Sequence, residues 1–228
     1  MHDGHRGRLR ERFRREGLDK FEEHNIMELL LFYGIPRKDT NETAHALMRK
    51  FGSVSGVLDA PYDEIMAVEG IGESAATFLK LIPAICRVYM DDKASDVRIV
   101  TDSESAATLI GSKYIGRTVE TFVLLLLDSK GKVLFCDVVQ EGSIHAVDIN
   151  IKKMISICSI YDAYTAIVSH NHPSGVALPS RMDLDTTLKF RRALEFISVR
   201  LYDHIIFADG DYVSLADSQN LGYLFADE

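Results

Sequence analysis

Two histidines near the middle of the C-terminal half have the residue type and the spacing of paired metal ligands. His170 and His172 end an apolar, β-branched run that begins at Tyr164. Residues two apart on a strand project to the same side of a sheet, so both imidazoles can face one ion. The sequence therefore predicts a strand that ends in a pair of metal-binding side chains.

An aspartate follows the histidines in the sequence, at a spacing that allows the chain to turn back and bring its carboxylate next to them. Pro173 and Gly175 stop the strand, and Ser180 opens a predicted helix whose first turn contains Asp183. Two histidines and one carboxylate, with a fourth position open to water, form the pattern of a catalytic zinc site rather than a closed structural one.

The same residues have simpler interpretations. His-x-His arises often by chance, and Ser180 and Asp183 also have the spacing of a capping box, which alone explains both residues. Asp185 is a second candidate acid, but residues two apart on a helix point to different faces, so only one of the two can join the histidines. The combination of a histidine pair, a breaker loop and an acid on the next helix favours the metal site.

The run Ser169-His170-Asn171-His172-Pro173-Ser174-Gly175, followed by Ser180 and Asp183, resembles the JAMM (MPN-plus) metallopeptidase motif, and within it the RadC branch. The resemblance implies a mixed-sheet α/β domain of the JAMM/MPN, cytidine-deaminase-like type. It also implies a zinc ion held by His170, His172 and Asp183, and hydrolysis of an amide or isopeptide bond in a peptide substrate.

The resemblance assigns two further roles. JAMM proteins use a glutamate at the start of an earlier strand as the general base, and Glu120 matches it, directly ahead of the apolar run 121–127. Without the family pattern, Glu120 reads as an ordinary solvated acid at a strand end. Ser180 corresponds to a residue that donates a hydrogen bond to the tetrahedral intermediate or to the metal-bound water, a role compatible with capping.

Length and composition fit a globular protein. The chain has 228 residues, 46% of them hydrophobic, and a net charge of −8. No apolar run approaches the ~18 residues that span a bilayer, and the arginine-rich N-terminus is unlike a signal peptide, so we predict a cytoplasmic protein with no membrane partner. Cys86, Cys136 and Cys158 are scattered, which predicts buried thiols rather than ligands or disulfides.

Residues 1–92 read as an all-helical domain. Apolar stripes predict helices over 22–33, 41–51, 61–68 and 74–90. The segment 65–75, with Gly70 and Gly72 between the last two helices, resembles a helix-hairpin-helix motif, and with residues 51–54 the domain resembles the N-terminal region of RadC proteins.

Two features of this N-terminal domain suggest DNA as a partner. The hairpin glycines can leave backbone N–H groups free for a phosphate, and six arginines lie in the first fifteen residues. Each has an alternative: Glu69 and Glu73 flank the hairpin, which fits a structural or protein-contacting turn equally well, and the arginines fit a solvated helix face.

The polar stretch 91–96 predicts a linker, followed by an α/β domain over 97–228. The pattern predicts helices over 103–110, 148–160 and 181–197, and strands over 119–127, 133–139, 164–172, 199–207 and 212–215. His204 has no companion at ligand spacing, which indicates a structural or supporting role, and His145 is predicted in an exposed loop.

Three functions follow from these observations. The leading hypothesis is a zinc-dependent hydrolase in which Glu120 is the base. The alternative is a DNA-associated accessory protein of repair or recombination, with a DNA-binding N-terminal domain and a non-catalytic metal site. The third is an interaction scaffold, favoured only if Glu120 is dispensable and no metal binds.

Overall fold

The computed structural model describes residues 2–94, 98–142 and 150–225. The chain divides into two compact units, Met1–Cys86 and Arg87–Glu228. This division lies inside a helix, a few residues before the predicted boundary near residue 92, and that boundary stays a prediction.

The described part of the first unit is helical, as predicted. Its helices are α1 (His2–Glu16), α2 (Glu23–Gly34), α3 (Asn41–Phe51), α4 (Val54–Asp59), α5 (Tyr62–Met66) and the start of α6 (Glu73–Ala94). Apolar stripes on α2 to α6 form one core, which includes the fully buried Met27, Leu31, Leu47, Ile65 and Leu79. Helix α1 joins a second, smaller cluster, in which Leu9 packs with residues that include Phe32. The sequence did not predict α4, a short helix capped by the Ser53 side chain, because Gly56 in its middle lowers helix propensity.

Several cations of this unit contact backbone carbonyl groups. Arg6 donates to the carbonyl oxygens of Ile35 and Lys38, and Arg12 donates to that of Lys20. Lys80, which follows the glycine turn, donates to two carbonyls at the end of α4 at 2.7 and 3.0 Å. These side chains stabilise the helical unit, whereas Arg8 and Arg14 are exposed.

The glycine turn between α5 and α6 has the backbone that the sequence predicted. Gly70 has φ +87°, and a Cβ there would lie 2.5 Å from the Thr43 hydroxyl oxygen. Only glycine fits this position without displacing its neighbour.

The predicted linker is wrong over the part that the structure describes. Helix α6 continues through Ala94, while residues 95 and 96 lie outside the described residues. Asp91 accepts a hydrogen bond from Ser112 and pairs with Lys113 at 3.0 Å. The polar stretch is therefore largely the last part of a helix, whose charged residues resemble a linker in composition.

The second unit is an α/β domain with a mixed sheet, as predicted. Its helices and strands are α7 (Ser103–Gly111), β1 (Thr121–Leu127), β2 (Val133–Glu141), α8 (Ile151–Ile160), β3 (Thr165–Asn171), α9 (Arg181–Glu195), β4 (Arg200–Ala208) and β5 (Asp211–Ser214). The strand order is β2-β1-β3-β4-β5. Only the β3–β4 pair in this order is parallel, and α9 connects its two strands.

Helices cover both faces of this sheet. Strand β1 is buried along its whole length, with Phe122, Leu124 and Leu126 in the core that contains α8 and α9. Val123, Leu125 and Leu127 face the core that contains α7. The connection from β3 to α9 then brings the end of a buried strand next to the start of a helix, where the predicted ligands lie.

Two smaller predictions need correction. The predicted helix over 148–160 begins at Ile151 in the described residues, with Asn150 as its cap, and residues 148 and 149 lie outside them. Cys158 is buried and Cys136 partly buried, but Cys86 is exposed, on a stretch of α6 where Ile85 and Val88 are exposed as well.

Among the described residues, no helix combines the length and apolarity needed to cross a bilayer.

Candidate metal centre

The two histidines of the predicted ligand pair converge at the end of β3. His170 is fully buried, and the side chain of His172, which follows the strand, is 16% exposed. Their Nε2 atoms lie 2.8 Å apart. The strand register sets Phe122 opposite His170, and the two rings stack with centroids 5.0 Å apart, which holds the imidazole in place.

The loop after β3 fixes the orientation of His172. Its Nδ1 atom lies 2.8 Å from the carbonyl oxygen of Val176, which can only accept, so Nδ1 is the donor. Gly175 lets the loop turn back: it has φ +83°, and a Cβ there would lie 2.8 Å from the Asp209 carboxylate. His172 therefore presents its Nε2 atom to His170.

Asp183 brings a carboxylate to the same point. Its oxygens lie 3.2 Å from Nε2 of His170 and 3.5 Å from Nε2 of His172. The capping box is also present, since the Asp183 carboxylate accepts from the Ser180 N–H and the Ser180 hydroxyl accepts from the Asp183 N–H. The two interpretations of these residues are thus compatible in one geometry.

The electrostatics of this site favour the ionised carboxylate. Burial by itself raises the pKa of Asp183, but the hydrogen bond and charge interaction with His170, with hydrogen bonds from Ser180, outweigh it. The net effect is a pKa below the ordinary value of an aspartate, so Asp183 is a carboxylate at neutral pH and can act as an anionic ligand.

Glu120 lies beside the histidines, half-buried just ahead of β1. The ligand atoms of Glu120, His170 and His172 all lie within 4.8 Å of one another. The Glu120 carbonyl accepts from the N–H of Gly142, and Asn171 binds the residues on either side of Glu120. The Asn171 side chain accepts from the Thr121 N–H at 2.7 Å and donates to the Val119 carbonyl at 3.2 Å.

Asn171 is one of the residues that sequence reasoning missed. Its position between the two histidines was visible, but its partners lie about 50 residues away along the chain. No local pattern indicates them.

His204 and Thr187 complete the buried surroundings of His170. The parallel register pairs His204 with Val168, two residues before His170, so both histidines share a sheet face. His204 Nε2 lies 2.8 Å from His170 Nδ1. Burial, and then the charge of His170, lowers the pKa of His204 well below its ordinary value, which keeps the ring neutral. The supporting role predicted for His204 is consistent with this contact.

Thr187 was missed although a signal existed. The buried face of α9 consists of Asp183, Thr187, Phe190 and Leu194, at helical spacing. The helix predicted over 181–197 contains this face, but the prediction gives no role to Thr187, which lies one turn after Asp183 and contacts His204.

The remaining candidates are placed as follows. Ser180 is exposed at the start of α9, and Asp185 is exposed on that helix, away from its buried face. His145 lies outside the described residues.

The donor set fits a zinc ion. Zinc bound tetrahedrally at ~2.0–2.1 Å from each ligand separates the ligand atoms by about 3.3 Å. The separations of 2.8, 3.2 and 3.5 Å among the two Nε2 atoms and the Asp183 oxygens lie on both sides of that value. Two ring nitrogens this close also need a proton or a metal ion between them.

Two family models match this chain. Residues 100–221 match the family model described as a RadC-like JAB domain, and residues 4–77 match the UPF0758 N-terminal model. A UPF0758 protein of Fusobacterium nucleatum is 29% identical over 221 residues, covering 94% of this chain and 95% of the relative.

Proposed function

Because the chain belongs to the family of proteins with a RadC-like JAB domain, a JAMM/MPN-type family, we propose that it is a zinc-dependent hydrolase of amide or isopeptide bonds. The observation that supports this most is the convergence of His170, His172 and Asp183, with the Glu120 carboxylate within 4.8 Å of both histidine ligand atoms. A bound zinc ion would lower the pKa of a coordinated water toward 7 and polarise the scissile carbonyl.

In this proposal Glu120 moves the proton. Its carboxylate accepts a proton from the attacking water and delivers it to the leaving nitrogen, as a general base and then a general acid. Gly142 and Asn171 form hydrogen bonds with the backbone around Glu120. These bonds support the proposed role, because they hold in place the backbone from which the Glu120 side chain extends.

Ser180 is proposed to donate a hydrogen bond to the tetrahedral intermediate. Its oxygen accepts from the Asp183 N–H at 3.2 Å, so the side chain is held at the edge of the site. Its exposure leaves it accessible to a substrate, and donors of this kind contribute about 10²–10³ in rate.

Metal content tests the proposal first. We expect elemental analysis of the protein, purified without added metal, to find about one zinc per chain, and Asp183→Ala to lose it. Peptide and isopeptide substrates are then screened with Glu120→Gln as the matched control, which should keep zinc and lose hydrolysis. Absence of zinc, together with no uptake when zinc is supplied, would contradict the proposal.

A further inference from the structure

A chain of three buried hydrogen bonds leads from the backbone of α9 to His170. The Thr187 hydroxyl oxygen lies 2.7 Å from the Asp183 carbonyl oxygen and 2.6 Å from Nδ1 of His204. His204 Nε2 in turn lies 2.8 Å from Nδ1 of His170. Thr187, His204 and His170 are all fully buried.

The first contact fixes the direction of the others. Two oxygens 2.7 Å apart need a hydrogen between them, and a carbonyl has none, so the Thr187 hydroxyl donates to Asp183. A hydroxyl has a single hydrogen. The Thr187 oxygen can therefore only accept from His204, and Nδ1 of His204 must bear a hydrogen.

The position of the hydrogen on His204 then determines the position of a hydrogen on His170. His204 is fully buried, and its two nitrogens contact a hydroxyl and an imidazole rather than a carboxylate, so the ring is uncharged. With its hydrogen on Nδ1, its Nε2 atom is unprotonated and accepts from His170. His170 therefore bears a hydrogen on Nδ1, and Nε2, which faces His172 and Asp183, is the ring atom left for a metal ion. That ion would take the place of the proton that the close contacts of Nε2 otherwise need.

We propose that Thr187 and His204 are positioning residues that fix the tautomer of His170 in which Nε2 can bind a metal ion. The part of this inference that concerns metal affinity rests on the proposed function, and the part that concerns the tautomer of His204 does not. His172 reaches the same state more simply, because its Nδ1 donates directly to the Val176 carbonyl.

Removal of the Thr187 hydroxyl should reverse the direction of the hydrogen bond between His204 and His170. In Thr187→Val, which keeps the side-chain shape, Nδ1 of His204 has lost its acceptor. His204 then gains by moving its hydrogen to Nε2 and donating to Nδ1 of His170, so His170 can bear a hydrogen only on Nε2, the ligand atom. Loss of such a supporting hydrogen bond typically weakens metal binding about 10- to 100-fold.

The test compares Thr187→Val with Thr187→Ser, which keeps the hydroxyl. ¹⁵N NMR of the histidine rings, with the His204 signals identified by their loss in His204→Asn, reports the tautomer with and without zinc. We expect the Nδ1–H form of His204 in the wild type and in Thr187→Ser, and the Nε2–H form in Thr187→Val. Zinc affinity, measured by competition with a chelator, should fall about 10- to 100-fold only in Thr187→Val.

The outcomes separate this inference from the proposed function. An Nε2–H tautomer of His204 in the wild type would overturn the hydrogen-bond direction. A changed tautomer with unchanged zinc affinity in a folded Thr187→Val protein would overturn the positioning role. A wild-type protein that shows the Nδ1–H form but binds no zinc would uphold the hydrogen-bond direction and refute the proposed function instead. Thermal unfolding of both variants checks that each is folded.

Discussion

The capping box at the start of α9 allows two functions to be separated by mutation. Ser180 and Asp183 both cap the helix, but only Asp183 is a proposed metal ligand. Ser180→Ala removes the hydroxyl that accepts from the Asp183 N–H, and leaves the carboxylate in place. Asp183→Asn keeps a side-chain oxygen that can accept from the Ser180 N–H, but removes the charge that would bind a cation.

The expected change in Tm follows from the energy of a helix cap and from the size of the second unit. Loss of a serine cap costs about 1 kcal/mol. The second unit, Arg87–Glu228, has about 140 residues, so its unfolding entropy is about 0.3 kcal/mol per degree and the loss lowers its Tm by about 3 °C. Zinc affinity should change little in Ser180→Ala. In Asp183→Asn it should fall by more than the ~10- to 100-fold typical of a lost supporting contact, because a ligand itself is lost.

Two measurements on each protein test this reasoning. Thermal unfolding of chelator-treated protein reports the cap, and chelator competition reports zinc affinity. An unchanged Tm in Ser180→Ala would refute the cap energetics. A loss of zinc in Ser180→Ala as large as that in Asp183→Asn would refute the separation of the two roles.

Three further predictions concern other parts of the chain. Asn171→Ala should reduce hydrolysis about 10²-fold while keeping zinc, because it frees the backbone on both sides of the base; equal loss of zinc, by elemental analysis, would contradict this. Burial raises the pKa of Cys136 to about 12 and that of Cys158 to about 11, so both are neutral thiols at pH 8. A thiol reagent should then modify only Cys86 quickly in the folded protein, and three fast thiols would refute the described burial. Binding of duplex DNA through α1 should show a log–log salt slope no steeper than about −2, because Arg8 and Arg14 are exposed and outside the contacts described, whereas the exposed Arg15 pairs with Glu16; a slope near −5 in a salt titration would show that more of the arginines reach phosphates.

Local patterns predicted most of the fold. The stripe Ala44, Leu47, Met48 and Phe51 predicted α3 with the bounds that the structure has, because a capped amphipathic helix is encoded within its own residues. Helix α6 extends beyond its prediction because contacts from another part of the chain, at Asp91, stabilise turns whose composition resembles a linker. Local sequence does not contain that information.

In the candidate site too, local sequence predicts some residues and long-range contacts determine the others. His170, His172, Ser180 and Asp183 follow from one short stretch, and the structure brings them together, although their roles stay predictions. Asn171 could not be assigned, because its partner Thr121 is set by the pairing of β3 with β1. Thr187 could not be assigned, because its partner His204 lies on β4, against which α9 packs. Strand pairing and helix packing, rather than any motif, decide which polar atoms meet there.

Several hydrogen bonds of the site join residues that are far apart in the chain, and this separation affects the order in which the site assembles. His170 and Asp183 are near neighbours in the chain, whereas Asn171 reaches Thr121 across 50 residues and His170 reaches His204 across 34. Contacts that close short loops form before those that close long ones. In a growing or refolding chain, the proposed ligands can therefore meet while the base is still unplaced and His204 has not yet paired. Under the proposed function, a zinc ion captured at that stage would be held by a chain that cannot yet hydrolyse anything, and the proposed activity would begin only when the centre of the sheet closes.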